Sequence, residues 1–222
     1  MTDDALDDFS GTARLFPLPN LVLFPHVVQG LHIFEPRYRQ MTADALASDG
    51  LIALVLLRDG ANEEDERAPV EAVACLGRIV WHEQLPDGRY NLRLRGLSRI
   101  RLIEEVSTGD EYRSARVELL ADTAPSDFAV LSQMRRDLAA AVLPQFTDDS
   151  PARQQLQELF DGDLPLGPVC DILAYALPLP AEVKQALLAE RRVEHRAAAI
   201  SDALRVTAAR AERPFPPPFS AN

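Results

Sequence analysis

Lys184 is the only lysine among 222 residues, and it limits the amine chemistry open to this chain. A nucleotide-gripping loop needs a glycine-rich turn ending in Gly-Lys-Ser or Gly-Lys-Thr, so that backbone amides and the lysine cradle phosphates. Lys184 instead follows Val183, in a segment whose spacing predicts a helix. A serine–lysine pair for peptide cleavage needs a desolvated lysine acting as base, and a position between Glu182 and Gln185 predicts an ordinary surface role. His26, His32, His82 and His195 are scattered, with no Ser-His-Asp or metal-ligand spacing. Cys75 and Cys170 stand far apart with no cysteine or histidine at ligand spacing. Two free, buried thiols are expected rather than a disulfide. The expectation is a non-enzyme with no cofactor and no metal.

Charge narrows the partners. A formal net charge of −11 repels polyanions at long range, so nucleic acid is an unfavoured partner. The start of the chain carries Asp3, Asp4, Asp7 and Asp8, the opposite of a basic leader, and no apolar run has the length of a membrane span. A cytoplasmic location is the expectation. Glu63, Glu64, Asp65 and Glu66 lie in the polar stretch Asn62–Arg67, expected as a solvated loop.

The densest cationic set is Arg89, Arg93, Arg95, Arg99 and Arg101. Alternation of Tyr90, Leu92 and Leu94 with Asn91, Arg93 and Arg95 predicts a strand with one apolar and one polar face. Gly96-Leu97-Ser98 is expected to be a tight connection into a second strand bearing Arg99 and Arg101, which would set four arginines side by side. Pairing with Glu104, Glu105 and Glu118 is the first expectation. An exposed patch for an acidic protein or for RNA is the alternative, although Tyr90 points away and offers no stacking surface.

These residues need a scaffold, and the chain has two textures. From Ala13 to about Leu120, short apolar or alternating runs predict strands, among them Leu21–Phe24, Leu51–Leu57, Ala72–His82 and Tyr112–Leu119. One helix interrupts them, started by Pro36 and ended at Asp49-Gly50. After Ala124 the spacing turns helical: Phe128, Leu131, Met134, Leu138 and Val142 form one stripe behind an N-cap at Ser126. Further helices follow Ser150-Pro151 and Pro168, and then span Ala181–Glu190 and Val193–Ala211. The expected division is an acidic N-terminus at 1–12, a β-rich subdomain at 13–122, a helical bundle at 123–212 and a proline-rich tail at 213–222. The fold class is α+β.

Three stretches carry a family resemblance. Pro17-Leu18, Val22-Leu23-Phe24-Pro25 and His32-Ile33-Phe34-Glu35-Pro36-Arg37-Tyr38 follow, in order, the opening of the Lon protease N-terminal domain. Cys75–Leu102, with its Asp87-Gly88 turn and arginine-bearing strands, is similar to the second hallmark of that family. Lys184-Gln185-Ala186-Leu187-Leu188 before a long helix is similar to the third. The chain departs at His26, where the family often has glycine, and at Gln29-Gly30. The resemblance implies a PUA-like β pseudo-barrel followed by a C-terminal α-helical bundle, standing apart from the family's ATPase and protease domains.

It also implies a module that holds polypeptide substrates or protein partners in protein quality control, such as a protease or unfoldase, with weak self-association. A PUA-like RNA-binding protein using Arg93, Arg95, Arg99 and Arg101 is the second reading, and a small-molecule-binding module the third. The candidate protein-binding surface is Phe24, Pro25, His26, Val27 and Val28, where a strand end breaks at proline, together with Trp81 and His82. The tail Phe215-Pro216-Pro217-Pro218-Phe219 is a candidate ligand for a neighbour's groove. Glu35, Pro36, Arg37 and Tyr38 are read as architecture, with Glu35 expected to meet Arg99 because a buried charge requires a partner.

Overall fold

The computed structural model describes residues 6, 9–58, 60–61, 65 and 67–211, the last six as backbone alone. Most of the acidic start, most of the acidic stretch at 62–66 and the proline-rich tail therefore lie outside the described residues. The described residues form six strands: β1 (Thr12–Leu18), β2 (Val28–Ile33), β3 (Leu51–Leu56), β4 (Val73–Gln84), β5 (Tyr90–Val106) and β6 (Ser114–Leu120). Among the same residues are six α-helices: α1 (Pro36–Leu46), α2 (Phe128–Val142), α3 (Pro151–Asp161), α4 (Leu166–Ala176), α5 (Ala181–Ala189) and α6 (Val193–Ala211). This is the expected α+β fold.

Two compact units divide the chain. The first comprises residues up to Ala121 together with Ala174–Arg191, and the second comprises Asp122–Leu173 and the chain from Arg192 onward. Residues 174–191, which the sequence reading assigns to the helical bundle, thus cluster with the sheet.

In the first unit the strand order is β2-β5-β4-β3-β1-β6, and β6 pairs back onto β5. That last pairing closes β5, β4, β3, β1 and β6 into a ring, leaving β2 attached along β5 alone. Every residue of β3 is buried, which is why its sequence is a continuous apolar run rather than an alternating one. β1 lies parallel to β3, so the chain crosses over between them through β2 and α1. Pro36 opens α1 at a position where its missing N–H is no loss, and Tyr38, Met41, Thr42 and Ala45 turn inward. α5 is tied to the sheet by polar bonds: Gln185 Nε2 donates to the Val73 carbonyl (2.8 Å) and Arg99 Nε to the Leu188 carbonyl (2.9 Å).

β5 departs from expectation. Gly96-Leu97-Ser98 is no turn, because β5 runs unbroken from Tyr90 to Val106. The register against β4 slips here, Leu76 facing Ser98 and Gly77 facing Gly96, so Leu97 is an extra residue in a bulge. The true hairpin turn is at Leu85–Arg89, closed by a bond from Leu85 N to the Arg89 carbonyl (2.8 Å), with Gly88 at φ 81°. Arg93, Arg95, Arg99 and Arg101 therefore lie along one strand instead of facing each other across two.

Leu21–Phe24 also departs from expectation. It is a loop with no strand pairing, and Val22, Leu23 and Phe24 are buried in it. The loop docks on β5 at Gly96, whose N–H donates to Val27 O (2.8 Å) and whose carbonyl accepts from His26 N (3.0 Å). Docking requires a turn at His26, the one non-glycine among the described residues with positive φ, at 67°. A residue with a Cβ is strained in that conformation by about 1–2 kcal/mol. Exchange of His26 for glycine is expected to raise the stability by about 0.5–1 kcal/mol in urea unfolding, the strain relief slightly exceeding glycine's greater loss of entropy.

In the second unit, arginines satisfy helix ends. Arg135 donates to the carbonyls of Phe160 (3.0 Å), Gly162 (2.9 Å) and Leu164, which closes the C-terminus of α3. Asp127 rather than Ser126 caps α2, accepting from Ala129 N at 2.8 Å. Ser150 caps α3 as expected, accepting from Arg153 N at 3.2 Å. Arg196 is wholly buried on α6, with NH1 and NH2 on the two oxygens of Asp122 (2.9 and 2.5 Å) and Nε 3.6 Å from buried Asp171. Cys75 and Cys170 are buried thiols not joined in a disulfide, as expected.

Candidate functional site

A cleft of about 730 Å³ opens in the first unit between the C-terminal half of β1, the β2–α1 junction and the segment Glu105–Ser114. Its walls follow from the sheet topology. β6 pairs with β1 only at Thr12–Arg14, so among the described residues Phe16–Leu18 have β3 on one side and no strand on the other. Among the described residues β2 pairs only with β5, so its other edge is open too. Successive peptide groups of a strand point to alternate sides, and an edge strand therefore offers unpaired N–H and C=O groups along its free side.

Phe16 and Tyr38 form the aromatic part of the wall, their centroids 4.5 Å apart, with the Arg37 guanidinium 4.6 Å over the Tyr38 ring. Burial raises the Tyr38 pKa, so its hydroxyl stays protonated. Arg37 grips Glu35 through Nε (3.0 Å) and NH2 (2.9 Å). The expected Glu35–Arg99 pair is not formed: Glu35 has a nearer cation two residues along its own chain, while Arg99 is buried against the Leu188 carbonyl under α5. Phe34 stands at the lip, 60% exposed and stacked near His32. His32 itself bonds Asn91 Oδ1 through Nδ1 (2.8 Å) and receives Arg89 NH1 at Nε2 (3.3 Å), which assigns the proton to Nδ1.

On the far wall, Arg113 forks onto Glu105 (2.9 and 2.5 Å) and reaches the Ala68 carbonyl (2.7 Å). Tyr112 donates to Asp44 Oδ2 at 3.0 Å, and burial together with that carboxylate pushes its pKa up to about 12. Two ion pairs, Arg37–Glu35 and Arg113–Glu105, cancel. Among the remaining lining residues, Asp65, Asp110 and Glu111 stand against Arg67 alone, so the cleft is locally negative.

The sequence-derived surface is only partly available. Phe24, Pro25 and Val27 are buried, because the loop that bears them is pressed onto Gly96, and they cannot serve as surface anchors. His26 and Val28 are exposed, as are Trp81 and His82. The four-arginine patch is not formed either. Arg99 is buried and Arg101 lies 3.8 Å from Glu118, while Arg93 and Arg95 remain exposed on the outer face of β5. Lys184 donates to the Tyr175 carbonyl (2.6 Å), and burial lowers its pKa. Among the described residues, no cluster of histidine, cysteine or carboxylate side chains has the geometry of a metal site, and no helix is long and apolar enough to cross a membrane.

A ring-closed sheet with an edge-lined cleft in the first unit, with helices in both units, is a fold shared with solved Lon N-terminal domains. The same fold is found in the Lon N-terminal domain protein from Xanthomonas campestris, with TM-score 0.57 and 24% identity, covering 91% of this chain and 99% of that one. It recurs in the N-terminal domain of Mycobacterium avium complex Lon protease, with TM-score 0.64 and 16% identity over 87% and 98% of the two chains. The family model of the ATP-dependent protease La (LON) substrate-binding domain matches residues 12–206, and the chain belongs to that family.

Lon protease 2 of Syntrophobacter fumaroxidans is 30% identical over 125 residues, 55% of this chain. Lon protease 2 of Myxococcus xanthus is 26% identical over 185 residues, 82% of this chain. The matches span 16% and 22% of those relatives' own lengths.

Proposed function

We propose that the chain is a non-catalytic binding module that takes extended polypeptide segments into the cleft between β1 and β2. The carrying observation is that two open strand edges and an aromatic wall share one cavity. An extended segment entering it finds main-chain partners on both sides and apolar contact beneath. Membership of a substrate-binding family supports the same reading. The excess of Asp65, Asp110 and Glu111 over Arg67 favours segments that combine apolar side chains with lysine or arginine over acidic ones. The closed ring of five strands with β2 appended supports the PUA-like description, and presentation of clients to a cytoplasmic protease or unfoldase is the role that fits such a module.

The test is fluorescence anisotropy with labelled peptides alternating leucine or phenylalanine with lysine. Saturable binding is expected, weakened at least tenfold by Phe34→Ser while circular dichroism stays unchanged. Tenfold is about 1.4 kcal/mol, within what covering the exposed part of a phenylalanine supplies. Binding indifferent to Phe34→Ser would place the site elsewhere.

A further inference from the structure

The outer face of β2, β5 and β4 carries a second feature, separate from the cleft. Register places Gly30, Arg93 and Trp81 in one cross-strand row, with Val28 and Arg95 in the next. Trp81 is 45% exposed, and Val28 and Val80 are each 43% exposed. Val80 is pushed out because it is the extra residue of a bulge, Ile79 facing Leu94 and Trp81 facing Arg93. The Arg93 guanidinium lies 5.4 Å over the Trp81 ring. A ring quadrupole orients the cation without using up its N–H donors. Among the described residues, the side chains of Arg93 and Arg95 make no ion pair or hydrogen bond, although the chain as a whole is strongly acidic. A Cβ on Gly30 would meet nothing within 4 Å, so the row has a bare position beside Arg93.

We propose that this face is a docking site for an extended acidic segment of a partner protein. Arg93 and Arg95 are two residues apart on one strand face, so their roots are about 6.8 Å apart, the same spacing as alternate side chains of an extended peptide. Two carboxylates at positions i and i+2 of that segment meet the two guanidiniums, and a neighbouring apolar side chain covers Trp81 and Val80. Nucleic acid is disfavoured on this face because the chain carries a formal net charge of −11 and Glu83 continues the Trp81 row of side chains along β4.

Because Trp81 is the sole tryptophan, its emission reports occupancy of this face directly. The probes are an acetylated nonapeptide alternating glutamate with leucine, its lysine-for-glutamate counterpart, and a single-stranded oligothymidylate of equal charge. The glutamate peptide is expected to shift Trp81 emission to the blue in a saturable titration that weakens with added salt. Arg93→Ser with Arg95→Ser should reduce its affinity at least tenfold. Gly30→Val, which fills the bare position without touching charge, should also weaken it. A saturable change with the lysine peptide or the oligonucleotide but none with the glutamate peptide overturns the proposal. So does glutamate-peptide binding that survives both sets of substitutions.

Discussion

Replacing Arg196 with alanine is expected to destabilise the second unit by about 3–5 kcal/mol, the cost of breaking a buried ion pair from one side. Arg196 has no exposed surface, and its guanidinium serves both oxygens of Asp122 while facing Asp171, itself 1% exposed. Alanine removes the positive charge from around two carboxylates, one of them deep in the interior, and leaves the volume of a long side chain to be refilled. Arg196→Lys is expected to recover only part of the loss, since one ammonium cannot fork onto Asp122 as a guanidinium does. Adding Asp171→Asn to the alanine variant should recover part of the loss, because the more deeply buried of the two carboxylates then carries no charge, while Asp122 and the lost volume remain. Urea unfolding, with hydrogen exchange on α6 and α4, measures all three. A loss below about 1 kcal/mol would mean that the triad is no more than a surface-like pair.

Gly96→Ala is expected to have the next largest effect, about 3 kcal/mol or more. A Cβ there would stand 2.0 Å from the Phe24 carbonyl oxygen and 2.8 Å from its carbon. Both are main-chain atoms, so no side chain can rotate aside. Overpacking costs about 1–3 kcal/mol on its own, and forcing the loop off β5 also breaks the two bonds between Gly96 and His26–Val27 at about 1 kcal/mol each. Gly30→Ala on the neighbouring strand is the control. With open space around the added methyl, it should change stability by no more than about 0.5 kcal/mol. Equal effects at the two glycines would show that the loop does not pack on β5 as closely as described.

Much of the architecture was legible in the residues because the signals were local. Pro36 with Tyr38, Met41 and Ala45 at helical spacing marks α1, the unbroken apolar run marks β3, and Ser150-Pro151 marks the start of α3. Misreadings fall where a local signal has two structural meanings. Gly96-Leu97-Ser98 has turn chemistry, yet a bulge in a continuous strand uses the same small residues, and only the register against β4 separates the two. Leu21–Phe24 reads equally as buried strand or buried loop, since apolar content reports burial and not pairing. His26 stands where the resembled family often has glycine, and its positive φ is a conformation that glycine adopts without strain. The cleft was missed for a different cause: Phe16, Phe34, Tyr38 and Arg113 are brought together only by the β1–β6 and β2–β5 registers, and no short motif announces a wall built from distant strands.

The topology of the sheet sets an order in which it can come apart. Each of the five ring strands is held on both flanks for at least part of its length, so losing any one of them breaks the circle. β2 hangs from β5 alone and can peel away while the circle stays intact. Its amides should therefore exchange with solvent well before those of β3 or β4, through an opening far smaller than global unfolding. The cavity wall that β2 forms can widen for a bulky visitor at little expense to the rest of the barrel.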